Sequence, residues 1–213
     1  MKKYLHVLVI FSSIVIPSGS QDVPALHTPL DQFIHEAGNK WDVYFTIEGA
    51  SDGTIYSEML LLEVVTAHSV PTNLDSAISA LTNSVTNLTV MADTDNQHIY
   101  HLVDKRLLGL EDYAMNRILQ SMKFDGDAWS FVNHIKEGIP NVLNQNVFGS
   151  RVTGVNQGTS ISINSAKVSV RDALSNGVDL RGYSRVIWTG FTPLETHQTT
   201  IHFLGTTNFI PHG

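Results

Sequence analysis

From residue 28 onward the apolar pattern switches repeatedly between the period of about 3.6 expected of a helix and the period of about 2 expected of a strand. This mixture limits the chain to an α+β fold and excludes a plain helical bundle or an all-β sandwich. Thr28-Pro29-Leu30-Asp31 reads as a helix start, with Thr28 as the cap and Pro29 in the first helical position. Leu30, Phe33, Ile34 and Ala37 then share one face, and Gly38-Asn39 is the expected stop. Trp41, Val43, Phe45 and Ile47 alternate with Asp42, Tyr44, Thr46 and Glu48, which predicts a half-buried strand. Met59 to Val65 predicts a second strand. Asn73 caps a helix whose face carries Leu74, Ala77, Ile78 and Leu81. Leu88–Ala92 and Gln97–Val103 predict a hairpin turning at Asp93–Asn96.

The second half repeats this order. Ile118–Phe124 predicts a strand, and Asp127 caps a helix carrying Phe131, Val132 and Ile135. A loose stretch, Asn144–Gly158, precedes a short strand at Ser160–Asn164. Ser169-Val170-Arg171-Asp172 is a capping box with Asp in the last place. Arg185–Phe191 and Thr199–Leu204 predict the last hairpin. The expected architecture is therefore two related small α+β modules, each with two short helices packed on small mixed or antiparallel sheets. They would span residues 21–104 and 118–213, joined by an ordered connector over 105–117 whose Leu107, Leu108, Leu110, Tyr113 and Met115 are apolar.

The first 20 residues read differently. Lys2 and Lys3 precede a mostly apolar run, Tyr4–Ile16, and then Pro17-Ser18-Gly19-Ser20. That is the three-part pattern of a secretory signal peptide cut near Ser20; a retained membrane anchor is the alternative. The 213 residues contain no Cys, which excludes disulfide staples, thiolate metal sites and a Cys nucleophile. Export without Cys fits a bacterial periplasm or secretion from a bacterium. With 13 Lys+Arg against 20 Asp+Glu the formal charge is −7, which argues against nucleic acid as a partner. No stable membrane span is expected once the signal is removed, and the oligomeric state is left open.

The segments Asn73-Leu74-Asp75-Ser76-Ala77-Ile78-Ser79-Ala80-Leu81 and Val168-Ser169-Val170-Arg171-Asp172-Ala173-Leu174 carry a resemblance. Each sits ahead of a polar gap and a hairpin. In this they resemble the short N-terminal (STN-like) module of secretins and TonB-dependent receptors. The resemblance implies a periplasmic α+β module that makes protein contacts and performs no catalysis. No barrel, plug or secretin channel follows in this chain, so a role of this kind would act on a partner in trans.

Catalytic signatures are scarce. The chain has no G-x-x-x-x-G-K-[ST], G-x-G-x-x-G, G-x-S-x-G or H-E-x-x-H pattern. An EF-hand starting at Asp93 fails, because His98 stands where Gly is needed. Of the ten His, His98 and His101 fall on opposite faces of a strand. His101 and His202 could meet if the two hairpins packed together, but no third ligand is evident, so no metal and no cofactor are expected. Glu36, Asp42, Glu48, Asp52, Glu58 and Glu63 lie close in sequence but on different elements. Glu63, set in an apolar strand, reads as a charge guarding a sheet edge.

The expected function is a non-enzymatic protein-interaction module of the bacterial envelope, with an envelope protein as partner. His101, His202, Trp41, Trp188 and Glu63 are its candidate contacts. A small-ligand or glycan binder using the inter-module cleft is the alternative; it would display Trp or Tyr in a concave site. A hydrolase would have to assemble Ser, His and Asp from distant positions.

Overall fold

The computed structural model describes residues 26–51, 63–67, 70–138, 160–176 and 183–205. The segment read as a signal peptide, most of the strand expected over Met59–Val65 and the Asn144–Gly158 stretch lie outside these residues.

Residues Leu26–Pro29 form a short strand, β1, so Thr28 is no helix cap. Helix α1 spans Leu30–Trp41 and buries Leu30, Ile34, Ala37 and Gly38. It runs a turn past the stop expected at Gly38 and ends where Asp42 takes a left-handed φ of 52°. Gly38 serves packing instead: a Cβ there would lie 2.6 Å from Arg185 Cγ, so only glycine lets this side chain cross the helix.

Strand β2, Tyr44–Ser51, is the centre of the fold. Helix α2, Leu74–Ser84, carries the expected Asn73 cap, and Ser76 closes it into a capping box, the two residues bonded in both directions. Strands β4 (Leu88–Ala92) and β5 (Ile99–Asp104) form the expected hairpin. Strands β8 (Tyr183–Pro193) and β9 (Thr200–Gly205) form the other. All five join one sheet in the order β4-β5-β2-β8-β9, with β2 parallel to both β5 and β8. The α+β class is as expected, but the division into two modules finds no support in the sheets. One continuous sheet takes strands from both halves of the chain.

Both faces of this sheet are covered. On one side α1, α2 and strand β3 (Val64–Ala67), which pairs with β1, enclose Phe45, Ile47, Leu102 and Val186. The other side is capped by a long antiparallel ribbon of β6 (Ile118–Asp127) and β7 (Ser160–Ser169). Helices α4 (Ala128–Gly138) and α5 (Val170–Asn176) flank the ribbon. They enclose Ile99, Val103, Phe131, Val170, Leu174 and Trp188. Between the halves, helix α3 (Lys105–Leu108) and a 3₁₀ turn (Ala114–Asn116) bury Leu107, Tyr113 and Met115. The register between β2 and β8 shifts after Phe45, which pairs with Val186, while Thr46 pairs with Trp188. That bulge lets Val186 enter one core and Trp188, two residues later, the other.

Candidate functional site

Because β2 and β5 are covered on both sides, the residues that alternate with their apolar face are buried too. Thr46, Glu48 and His101 are 0–1% exposed and point toward α5 and the connector. Glu48 was expected on a solvent face; its burial follows from the central place of β2. The carboxylate is fully partnered. Arg171 donates Nε to Oε1 and a second nitrogen to Oε2 at 2.9 Å, and the Tyr113 hydroxyl donates to Oε2 at 2.6 Å. The fork–fork geometry satisfies both oxygens at once. Burial pushes Tyr113 well above its ordinary value of 10, and the Glu48 charge adds to it. For Arg171 burial opposes the charge, yet the bond to Glu48 holds its pKa above the usual range.

A second group adjoins the first. His101 Nδ1 lies 2.8 Å from Thr46 Oγ1, and Nε2 lies 3.2 Å from Asp93 Oδ2 and 3.7 Å from Asp172 Oδ1. Asp93 is held by its own turn: the backbone N–H groups of Asp95 and Asn96 donate to Oδ1 at 2.8 and 2.9 Å. Asn176 donates from α5 to both Asp93 oxygens. Ser169 caps α5, its Oγ accepting from the Asp172 N–H at 3.0 Å, and the Asp172 carboxylate accepts from Thr94 Oγ1 at 3.3 Å. Burial works against a charged His101, but Asp172, Asp93 and then Glu48 outweigh it, so its pKa is raised above 6.5. Burial likewise favours protonated Asp172, yet the His101 imidazole 3.7 Å away brings its pKa below 3.8.

Thr46, His101 and Asp93 thus stand in the order hydroxyl, imidazole, carboxylate. Thr46 and His101 are at most 1% exposed, so no outside carbonyl reaches the hydroxyl without opening the core. The polar network therefore acts as an internal connection: Glu48, Asp93 and His101 come from the first half, Arg171, Asp172 and Asn176 from the second.

Of the candidate contacts, His101 alone belongs to this network. Strand β9, which carries His202, is separated by β2 and β8 from β5, which carries His101. His98 instead bonds the Asp42 carbonyl at 3.0 Å. Trp188 is wholly buried, its indole N–H donated to Ser175 Oγ at 3.1 Å, and is core rather than contact surface. Trp41 is half-buried against the apolar core, with the Lys40 ammonium 4.7 Å from its ring centre. Glu63 is exposed just before β3, and its carbonyl accepts from the Leu30 N–H at 2.7 Å.

On the outside, a groove of about 740 Å³ runs between β3 and α2. Thr66, Ala67, Thr72, Ser76, Ser79 and Asn83 are among its lining residues. Within it Ser84 Oγ accepts from the Thr66 N–H at 2.8 Å and donates to the Thr66 carbonyl at 2.9 Å. That edge of β3 is bonded to a side chain rather than to another strand. Among the described residues no helix is long and apolar enough to cross a membrane. Comparison with family models, with curated proteins and with solved structures gives no match for this chain.

Proposed function

We propose that this chain is a non-enzymatic, exported protein-binding module of the bacterial envelope, acting on a partner in trans. The observation that carries the reading is where the polar groups lie. The described His–carboxylate cluster of three, Asp93, His101 and Asp172, lies in the core and its members are partnered with one another; the exposed His197–Asp112 contact is a simple pair, whereas the groove beside β3 opens outward. A groove between a strand edge and a helix, lined by small polar and apolar side chains, suits an extended peptide whose backbone takes the place of Ser84 Oγ on the Thr66 N–H and carbonyl. The buried Trp188 and the small lining residues of the groove speak against a glycan platform.

The test places a photo-reactive phenylalanine analogue at exposed Ser79 in the groove, or at exposed Lys123 on the β6–β7 ribbon, in the exporting cell. A discrete adduct from the first position and none from the second is expected. Adducts from neither, or equally from both, end the docking reading. Turnover of ester, amide or phosphoester substrates that disappears in His101→Gln would end the non-enzymatic one.

A further inference from the structure

Asp93, His101 and Asp172 each bring one potential ligand atom into a buried cluster, the three atoms lying within 4.8 Å of one another. We propose that this cluster binds one divalent transition-metal ion, which ties the Asp93–Asn96 turn and β5 to α5. The inference does not depend on the partner-binding reading above.

Charge is the first argument. Glu48, Asp93 and Asp172 bring three carboxylates to the network, and the fixed positive charge in it is Arg171. Two negative charges remain, which a dication cancels and an imidazolium halves; buried charge left uncancelled is costly. Geometry is the second. Ligands held at about 2.0–2.2 Å from a metal lie about 3.0–3.6 Å apart when adjacent. The separations of His101 Nε2 from Asp93 and Asp172, 3.2 and 3.7 Å, are already close to that spacing. One N–H cannot serve both carboxylates, and 3.7 Å is too long for a hydrogen bond.

The supporting contacts form the third argument. With Nδ1–H donated to Thr46 Oγ1, His101 presents the Nε2 lone pair to the cluster, the arrangement that orients metal-bound imidazoles. Asp93 is held on its other oxygen by two backbone N–H groups. One imidazole nitrogen and two carboxylate oxygens form a donor set suited to Zn²⁺, Co²⁺ or Mn²⁺. The Asp172 side chain keeps 14% exposure while those of Asp93 and His101 are at 0 and 2%. The ion would enter past Asp172 and serve structure rather than catalysis.

The experiment uses the full chain, stripped with a chelator and titrated with Zn²⁺ by calorimetry and with Co²⁺ by visible absorption. One equivalent of saturable binding is expected, with Co²⁺ bands, and about a 10-fold or greater loss of Zn²⁺ affinity in Asp172→Asn. In parallel, ring ¹⁵N spectra of the wild-type chain should show the His101 resonances shifting with the first equivalent of Zn²⁺. Absence of stoichiometric binding, undiminished affinity in a folded Asp172→Asn, or an unmoved His101 ring overturns the site. The ring measurement decides if that variant does not fold.

Discussion

At the scale of single residues, the molecule is held by buried charges that local sequence does not announce. Glu48 and Arg171 are 123 positions apart, and His101 and Asp172 come from different halves. Neighbour spacing, which revealed the Asn73 cap and the Asp93 turn, cannot reveal such pairs. The available signal was Glu48 itself, an acid between Ile47 and Gly49 in a strand that turned out central; attention to Glu63 fell on an exposed residue. Removing one partner leaves the other buried and unpaired. Glu48→Leu should cost about 3–5 kcal/mol, and the Glu48→Leu/Arg171→Met pair clearly less than the two single changes added together. Urea titration of the four proteins measures this. In chelator-treated protein the His101 contribution is fully present below about pH 6.5 and is lost as pH rises through its raised folded value. Asp172 behaves oppositely: its contribution is present above 3.8 and is lost as pH falls through its lowered folded value. Melting temperature against pH should therefore peak on the mildly acidic side, and His101→Gln should flatten the alkaline fall.

At the scale of elements, periodicity located the helices and hairpins well and their ends less well. Helix α1 overran its expected stop because Gly38 faces Arg185 rather than a turn. Arg185 donates to Asn39 Oδ1 at 2.9 Å and to Asp42 Oδ1 at 3.0 Å, and its guanidinium lies 4.8 Å from the Tyr44 ring centre. It therefore fastens the end of α1 to β8. Gly38→Ala should displace that side chain and cost about 1–3 kcal/mol, more than the usual gain of alanine in a helix. Asn73→Ala should cost about 1 kcal/mol by leaving the Ser76 N–H without its acceptor. Chemical denaturation reads both. In the sequence, Trp188 reads as a possible contact because the cover on both faces of β8 cannot be seen there; the shift after Phe45 decides which of the two cores its ring enters.

At the scale of the whole molecule, the repeated element order suggested two modules, and strand pairing joined them instead. Alternation tells which face of a strand is apolar, not which strand lies beside it. The parallel pairing of β2 with β8 links distant segments, and the Glu48–Arg171 bond crosses the same junction. Heating should give one cooperative transition with equal calorimetric and van't Hoff enthalpies. Two resolved transitions would restore independent modules.

That pairing also sets a timetable. Phe45 and Val186 are about 140 positions apart, so β2 leaves the ribosome long before its neighbour exists. At about 5–20 residues per second the wait is on the order of 10 s. Throughout it one edge of the central strand, and the carboxylate of Glu48, have no native cover. Refolding should be slow for a chain of this size, as expected where distant strands must meet before the core can close. On the export reading proposed above, that delay keeps the chain unfolded until it has crossed a membrane.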